Sequence, residues 1–327
     1  MHTVLEVCDL RVGYQDAHAK STPALEGVSF VLQAGEILGV LGESGCGKST
    51  LASSLLRLLA PGGHVSGGSV RFEGREIFTQ SELELRKIRG ARIALIFQEA
   101  SLALHPTIRA GEQVANVIAA HSALDRRARL DKARKVLQEV FSSDAERIFS
   151  SYPHQLSGGQ RQRVLIAQAI ACDPAILIAD EPTASLDTTT QAEILSLFAS
   201  LRQRHGMAII LITHNPAILA QIADRIFVLY AGRVVEEGHS SELLRSPQHP
   251  YVRALLGTMA NSPEAALLLH KTKLSAIEGR APDLAERIAG CRFEPRCEER
   301  MEQCVQREPE MVTTDEGRTV ACFKYGG

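Results

Sequence analysis

The chain has 327 residues, of which 45% are hydrophobic, and it carries a formal net charge of −2 with a pI near 6.6. This length is typical of about two domains, or of one large α/β domain with an extension, and the apolar content is sufficient for a buried core. The nearly balanced charge argues against nucleic acid as the main partner, because proteins that bind it usually carry a strongly basic face.

The sequence contains no apolar run close to the roughly 20 residues that cross a bilayer. Its start, Met1-His2-Thr3-Val4, lacks the basic and then apolar pattern of a signal peptide. We therefore expect a cytosolic chain that reaches any membrane through other subunits. Seven cysteines in a reducing compartment favour free thiols or a metal site over disulfides.

The first part of the chain predicts an antiparallel sheet edge. Loose alternation of apolar residues runs from Thr3 to Tyr14 and from Leu25 to Leu32, and a short run follows from Ser69 to Phe72. Tyr14 ends the first of these strands, where its ring could stack on an adenine or could simply be half-buried by packing. Its position ahead of the next motif favours the adenine contact.

A glycine-rich segment matching Walker A follows the apolar run Ile37 to Leu41. It reads Gly42-Glu43-Ser44-Gly45-Cys46-Gly47-Lys48-Ser49-Thr50. The glycines let backbone N–H groups turn inward around phosphate oxygens, Lys48 can reach the β- and γ-phosphates, and Ser49 can bind Mg²⁺. A helix is predicted from Lys48 to Leu59. We interpret the segment, including Thr50, as an ATP site.

Cys46 lies within this segment, at the predicted start of a helix. The helix dipole favours a thiolate at that position, so we predict an alkylation site that MgATP protects. The alternative is a small side chain that merely fits the loop.

The compact apolar strand Ile93 to Phe97 ends in Gln98. An amide at the carboxyl end of such a strand can bind Mg²⁺ or orient a water molecule, although it can also just complete the hydrogen bonding of the strand end. The next residues, including Gly111 to His121 and Asp125 to Val140, have helical spacing of apolar residues. We predict an inserted helical subdomain at about residues 99–158.

This subdomain ends just before a second motif, Leu156-Ser157-Gly158-Gly159-Gln160. Together with the Walker A segment, it resembles the nucleotide-binding subunits of ABC transporters. Ser157 and Gly159 would lie at a helix N-terminus that can bind anions. The resemblance implies that Ser157, Gly158, Gly159 and Gln160 contact ATP held by the Walker A loop of a partner subunit.

The run Ile176-Leu177-Ile178-Ala179-Asp180-Glu181 is apolar and ends in two carboxylates, as a Walker B strand does. Asp180 is predicted to hold Mg²⁺, because two acids beside a phosphate site need a cation between them and the substrate. Glu181 is then available to polarise the attacking water. Asp187 follows in the segment that resembles the D-loop of ABC proteins, which implies contact across a dimer.

The apolar strand Met207 to Thr213 ends in His214, which resembles the switch histidine of the family and would contact the γ-phosphate. Asn215 stands where the family commonly has an acid. Apolar strands interleaved with helices predict an α/β fold, a doubly wound parallel sheet with an antiparallel β edge, and the resemblance implies that this fold is of the P-loop NTPase type.

The segment Ser246-Pro247-Gln248-His249-Pro250-Tyr251-Val252-Arg253-Ala254-Leu255-Leu256 narrows the resemblance. It resembles the extension of the ATP-binding subunits of oligopeptide and dipeptide importers, of the dipeptide-importer D type, and the likeness continues from Gly290 to Cys297. We predict an ABC nucleotide-binding domain at residues 1–245 and a Cys-rich extension at residues 246–327.

The extension contains Cys291, Cys297, Cys304 and Cys322. Four cysteines in a charged tail with few apolar residues suggest a centre that supplies folding free energy. The paired C-x-x-C hairpins usual for structural zinc are missing, and importer ATPases of this type can carry an iron-sulfur cluster here. The resemblance favours a 4Fe-4S cluster, with zinc or unmetallated thiols as alternatives.

These features predict an ATPase that powers import of di- and oligopeptides through separate membrane subunits. The resemblance implies a second ABC ATPase subunit, two transmembrane permease subunits, an extracytoplasmic solute-binding protein, and a peripheral location on the cytoplasmic face of the inner membrane. No nucleic acid is expected. Nickel, sugar or antimicrobial-peptide cargo is an alternative, and so is a soluble ABC ATPase acting on DNA or ribosomes.

Overall fold

The computed structural model describes residues 2–15, 21–97, 103–141, 143–258, 277–282, 288–315 and 317–326. The chain divides into two compact units. The first is drawn from Met1–Val4, Gln33–Glu36 and Thr79–Ile210, and the second from Leu5–Leu32, Ile37–Phe78 and Leu211–Gly327.

The strands are numbered in chain order. They are β1 (Thr3–Gln15), β2 (Ser21–Gln33), β3 (Ile37–Leu41), β4 (Gly63–Phe72), β5 (Arg75–Glu76), β6 (Ile93–Ile96), β7 (Ile176–Asp180), β8 (Ala208–Thr213), β9 (Arg225–Tyr230), β10 (Arg233–His239), β11 (Val312–Thr313) and β12 (Thr319–Val320).

The α-helices are numbered in the same way. They are α1 (Lys48–Ser54), α2 (Glu82–Ile88), α3 (Ala110–His121), α4 (Arg126–Val140), α5 (Ala145–Ser150), α6 (Gly158–Ile170), α7 (Thr188–His205), α8 (Pro216–Ile222), α9 (Ser240–Arg245), α10 (Pro250–Thr258) and α11 (Gln303–Gln306).

In the first unit, β6 and β7 pair in parallel, with Ile93 opposite Ile176. Every residue of β7 is buried, which explains why this strand is apolar on both faces rather than alternating. Helices α3, α4, α5 and α6 pack on one another. Their apolar residues recur at three- and four-residue spacing, so each helix buries one face, and Asp125 caps α4 by accepting a hydrogen bond from the Ala128 N–H.

The second unit contains two kinds of sheet. Strand β1 pairs with β4 in an antiparallel register, and β5 extends this sheet beside β4. Strand β3 pairs with β9 in parallel, whereas β9 pairs with β10 and β10 with β12 in antiparallel fashion. The predicted antiparallel edge is confirmed, and the parallel pairing expected for an α/β fold occurs in both units, although the second unit also carries antiparallel strands.

Helix α1 is shorter than the sequence indicates. It was expected to reach Leu59 but ends at Ser54. The backbone of Arg57 adopts a left-handed φ of 51°, which an α-helix cannot contain, and the Leu58 N–H bonds back to the Ser53 carbonyl. The helices predicted in the inserted region agree more closely, because α3 and α4 begin and end within one residue of the expected bounds.

Among the helices that the structure describes, none combines the length and the apolar character needed to span a bilayer.

Candidate functional site

The phosphate loop, residues 42–49, links the buried strand β3 to α1 in the second unit. Lys48 is largely buried, with 8% of its surface exposed. Its Nζ atom donates to the carbonyl oxygens of Gly42 and Glu43, each at 2.8 Å. The ammonium group is therefore fixed inside the loop by backbone oxygens, while Ser44, Gly45 and Ser49 stay exposed and can be reached by a ligand.

Two glycines of this loop are required by its geometry. Gly47 has a φ of 109°, and a Cβ atom there would lie 2.8 Å from the Ala24 carbonyl oxygen. A Cβ atom on Gly42 would lie 2.3 Å from the Leu229 carbonyl oxygen. Real Cβ atoms do not approach backbone oxygens so closely, so the loop can pack against β2 and β9 only because these two positions lack a side chain.

The prediction of a reactive Cys46 thiolate is wrong. The side chain is buried, with 5% exposed, and this burial raises the pKa of the thiol to about 11. Lys48, whose Nζ lies 4.0 Å from the sulfur, lowers the pKa by less than burial raises it. The thiol therefore stays protonated near neutral pH and acts as a small packing group within the loop.

Tyr14 and Thr50 lie together beside the same loop. The Tyr14 hydroxyl is 3.5 Å from Thr50 Oγ1, and the ring is half-buried. A Cβ atom on Gly63 would come within 2.9 Å of the Tyr14 ring, so the ring is held from one side by a close backbone. A partly exposed ring at this position can stack on a planar base.

His214 follows β8 directly and is exposed. The loop beyond it is fixed by Asn215, whose Oδ1 accepts a hydrogen bond from the Ala217 N–H at 2.9 Å and caps α8. The Asn215 N–H in turn donates to Thr213 Oγ1 at 3.1 Å. Asparagine therefore serves as the helix cap where an acid is common, and the loop after His214 keeps its hydrogen bonds.

Sequence reasoning missed the residues that hold Glu43. The Glu43 N–H donates to the Tyr251 hydroxyl at 3.1 Å, and Arg296 donates from Nη1 and Nη2 to the two Glu43 carboxylate oxygens at 2.9 and 3.1 Å. These partners are 208 and 253 residues away in sequence. Both residues lie in segments that resemble the importer extension, and no local sequence pattern links Tyr251 or Arg296 to Glu43.

In the first unit, β7 delivers Asp180 and Glu181 at its carboxyl end. Both carboxylates are largely buried, at 5% and 8% exposed. Glu181 has a φ of 49°, a left-handed conformation that is strained for a residue other than glycine. The regular strand geometry therefore stops at Glu181, directly after the last residue of β7.

The signature segment, residues 156–160, starts α6 in the same unit. Ser157 and Gln160 form a capping box: Ser157 Oγ accepts from the Gln160 N–H at 3.2 Å, and Gln160 Oε1 accepts from the Ser157 N–H at 3.1 Å. Ser157 and Gly158 are exposed. The helix N-terminus therefore faces solvent with its geometry already fixed, as an anion site requires.

Asp187 caps α7 beside this segment. It accepts from the Thr190 N–H at 2.9 Å and from Thr190 Oγ1 at 2.7 Å, and these bonds lower the pKa of its carboxyl. A Cβ atom on Gly159 would lie 2.5 Å from Thr190 Cγ2, so α6 and α7 approach closely there. An open groove of about 940 Å³ is lined by Ser157, Gly159, Gln160, Arg163, Thr190 and Glu193, among others.

The four extension cysteines are gathered in the second unit. Cys304 and Cys322 are buried, and the Cys291 N–H donates to the Cys304 carbonyl at 2.8 Å. Burial and then the other three thiols, Cys304, Cys297 and Cys322, raise the pKa of Cys291 to about 11. Within the part of the chain that the structure describes, no set of three or more His, Cys, Asp and Glu residues is arranged to hold a metal ion.

Gln98, which the sequence predicts to bind Mg²⁺ or to orient a water molecule, lies outside the described residues. The first unit contains Asp180, Glu181, Asp187 and the signature residues 157–160, and the second contains Tyr14, His214 and the phosphate loop.

Comparisons with known proteins agree with these features. A sequence model described as "ABC transporter" matches residues 25–184, and one described as "Oligopeptide/dipeptide transporter, C-terminal region" matches residues 235–304. The oligopeptide transport ATP-binding protein AppD of Bacillus subtilis is 40% identical over 326 residues, covering 99% of this chain and 98% of its own length. The oligopeptide transport ATP-binding protein OppD of Escherichia coli is 41% identical over 322 residues, covering 98% and 93%.

Solved structures give the same picture. A dimeric ATP-binding cassette in a post-hydrolysis state, bound to ADP and Pi, is 29% identical with a TM-score of 0.64 and covers 72% of this chain and 98% of that one. CbiO1 of Clostridium perfringens, part of an ABC transporter complex, is 28% identical with the same TM-score and covers 74% and 91%.

Proposed function

The chain belongs to the ATP-binding subunits of the oligopeptide and dipeptide ABC transporters, and from this premise we propose how its residues power transport. It is an ATPase whose hydrolysis drives import of di- and oligopeptides. Its relatives are named for peptides, so nickel, sugar or antimicrobial-peptide cargo and a soluble ATPase without a transport role are not favoured.

The observation that carries the proposed site is the phosphate loop, whose buried Lys48 is held by two carbonyl oxygens. ATP would bind with the loop and Lys48 in the positions that they hold in the structure. Backbone N–H groups of residues 44–49 would cradle phosphate oxygens, and Lys48 would bind the β- and γ-phosphates. Tyr14 would stack on the adenine, and Thr50 would support the α-phosphate end of the loop.

The residues that would hold Mg²⁺ are Ser49, Gln98 and Asp180. A hydroxyl, an amide oxygen and a buried carboxylate form the oxygen set that this ion prefers, so the residues fit it. When bound, the ion supplies neutralisation of phosphate charge. Glu181 would polarise the attacking water, and His214 would contact the γ-phosphate.

The signature residues Ser157, Gly158, Gly159 and Gln160 would contact ATP held by a second ABC ATPase subunit, and Asp187 would contact that subunit across the dimer. The exposure of Ser157 and Gly158 supports this role, because a surface that completes another subunit's site must face outward. Hydrolysis would then replace the bridging γ-phosphate with separate products, and the two ATPase subunits would move apart.

We place this subunit at the cytoplasmic face of the inner membrane, bound to two transmembrane permease subunits and linked through them to an extracytoplasmic solute-binding protein. The inserted helical subdomain at about residues 99–158 would transmit ATP-driven motion to the permeases. Residues 1–245 would form the nucleotide-binding domain and residues 246–327 the Cys-rich extension.

We also propose that Cys291, Cys297, Cys304 and Cys322 hold a 4Fe-4S cluster, with zinc as the alternative. The pKa of the Cys291 thiol is raised by burial and by the thiols of Cys304, Cys297 and Cys322, which supports their being near one another, and four thiols are a donor set suited to either metal centre. Such a centre would supply folding free energy to the extension. Iron, sulfide and zinc analysis of anaerobically purified protein tests this, and stoichiometric zinc without iron would reject the cluster.

The catalytic assignment is tested with Glu181→Gln. This variant should bind MgATP as the wild type does and should lose at least about a hundredfold in hydrolysis rate, because it removes the base but keeps the size of the side chain. Steady-state phosphate release and nucleotide binding are measured on the same preparations. Lys48→Ala is the matched control, since it should lose binding itself. Turnover of Glu181→Gln near the wild-type rate would remove Glu181 from this role.

A further inference from the structure

We propose that Tyr251 and Arg296 of the C-terminal extension are positioning residues for the phosphate loop, and that both act through Glu43. The inference rests on the proposed nucleotide site and deepens it, because it assigns the extension a part in ATP binding. All of the residues involved lie in the second unit.

Glu43 places a negative charge within the phosphate loop. This residue is the second of the phosphate loop, and its side chain is only 24% exposed. A carboxylate in a loop that binds a triphosphate repels the ligand, and partial burial leaves that repulsion poorly screened. Glu43 is therefore compatible with tight ATP binding only if a cation neutralises it.

Arg296 supplies that cation in a fixed geometry. Its two terminal nitrogens bond the two oxygens of Glu43, and its side chain is 6% exposed. A fork of this kind both neutralises the carboxylate and determines where it points, which a lysine ammonium does not do. Glu43 is thereby turned toward the extension.

The arginine is itself held in place by neighbouring groups of the same unit. Arg296 Nη1 donates to the Tyr230 hydroxyl at 3.3 Å, Nε donates to the Glu278 carbonyl at 3.1 Å, and the guanidinium lies 5.9 Å from the centre of the Tyr230 ring. The Tyr230 ring packs on Tyr251 and Phe293, at centroid distances of 4.4 and 5.4 Å. The fork is thus preorganised before ATP arrives.

Tyr251 completes the arrangement on the backbone side. Its ring is fully buried, and its hydroxyl accepts a hydrogen bond from the Glu43 N–H. This bond gives a backbone donor of the loop its hydrogen-bond acceptor. The backbone at Tyr251 is fixed because its N–H donates to His249 Nδ1 at 3.0 Å, and the ring packs on Tyr230 and Phe293. The extension therefore fixes both the backbone and the side chain of Glu43.

The extension offers a matched control four residues earlier. Arg292 is also well buried, with its side chain 13% exposed, and it pairs with Glu26 and bonds the Ala231 carbonyl. Within the described part of the chain, Arg292 forms hydrogen bonds and ion pairs with Glu26, Ala231 and Glu308, and none with the phosphate loop. Removing it should weaken the attachment of the extension without exposing the Glu43 charge.

The experiment measures MgATP affinity of the full-length chain by titration with a fluorescent ATP analogue, together with KM and kcat for hydrolysis. Arg296→Ala should raise the dissociation constant about tenfold and raise KM more than it lowers kcat, since the loss is one of ligand binding. Arg296→Lys should raise it about threefold, because the charge remains but the fork is lost. Arg292→Ala should stay within about twofold of the wild type.

The decisive variant is the double substitution Glu43→Gln with Arg296→Ala. It removes the carboxylate along with its partner, so the dissociation constant should return to within about threefold of the wild type. A value as weak as that of Arg296→Ala alone, or an equal loss in Arg292→Ala, would overturn the proposal, as would an Arg296→Ala affinity within twofold of the wild type.

Lys48→Ala separates this inference from the proposed site. If Lys48→Ala binds ATP normally, the phosphate loop is not the site and both proposals fail. If Lys48→Ala loses binding while Arg296→Ala does not, the site stands and only the role of the extension is rejected.

Discussion

The phosphate loop and the signature segment are both glycine-rich turns that start a helix, yet they are supported in different ways. The phosphate loop is packed from outside: its lysine is buried, Gly42 and Gly47 face backbone oxygens of distant strands, and Glu43 is held by Tyr251 and Arg296. The signature segment is supported by its own capping box, and its Ser157 and Gly158 are exposed. We propose that the phosphate loop retains its own nucleotide and therefore needs a rigid surround, whereas a segment that would complete a partner's site has to remain accessible.

The largest effect that would break this comparison is expected at Gly47. Gly47→Ala should lower MgATP affinity at least about a hundredfold, because its φ of 109° is strained for alanine and the new Cβ atom meets the Ala24 carbonyl oxygen at 2.8 Å. Nucleotide titration of the purified full-length chain measures this loss, and circular dichroism checks that the variant is folded. A folded variant with wild-type affinity would show that the loop tolerates a side chain there.

The stability of the folded chain is expected to depend on pH through His249, which bonds the backbone of Tyr251 next to the phosphate loop. This residue is buried, and burial lowers its pKa to about 3, far below the ordinary value near 6.5. Because the folded pKa is the lower one, the unfolded chain takes up a proton first, and stability is lost as pH falls below about 6.5. The free energy of unfolding should fall by about 2 kcal/mol from this group between pH 7 and pH 5.

His249→Asn tests this directly, since it keeps an acceptor near the position of Nδ1 but does not titrate. Guanidinium unfolding at both pH values should show a pH-dependent loss about 2 kcal/mol smaller in the variant than in the wild type. The buried Glu236, whose pKa burial raises, contributes in the opposite direction but is present in both proteins. Equal pH dependence in the two proteins would contradict the assignment.

The smallest effect is expected at Gly159 of the signature segment. A Cβ atom there would meet the Thr190 methyl group at 2.5 Å, and a side-chain methyl can move where a backbone oxygen cannot. Gly159→Ala should therefore cost about 1 kcal/mol of stability and leave ATP affinity of the isolated chain within about twofold. A loss of affinity as large as in Gly47→Ala would mean that the two turns are supported alike.

Much of the site could be predicted from the sequence because it depends on local pattern. The apolar run Ile37–Leu41, the glycine spacing after it and the paired acids after Ile176–Ala179 each require only neighbouring residues to be interpreted. The boundaries of α3 and α4 were equally accessible, since helical spacing and an Asp cap are local signals. The early end of α1 was not, because nothing before Arg57 indicates its left-handed backbone.

The sequence by itself determined which chemistry this chain carries: a phosphate loop with Lys48, a strand that ends in Asp180 and Glu181, and a signature turn at Ser157. The tertiary structure alone decided the environment of those groups. It buried Cys46 so that its thiol stays protonated, and it brought Arg296 across 253 residues to neutralise Glu43. Residue type and spacing are properties of the sequence itself. Burial and long-range pairing, which set pKa values and charge balance, arise only when distant segments pack together.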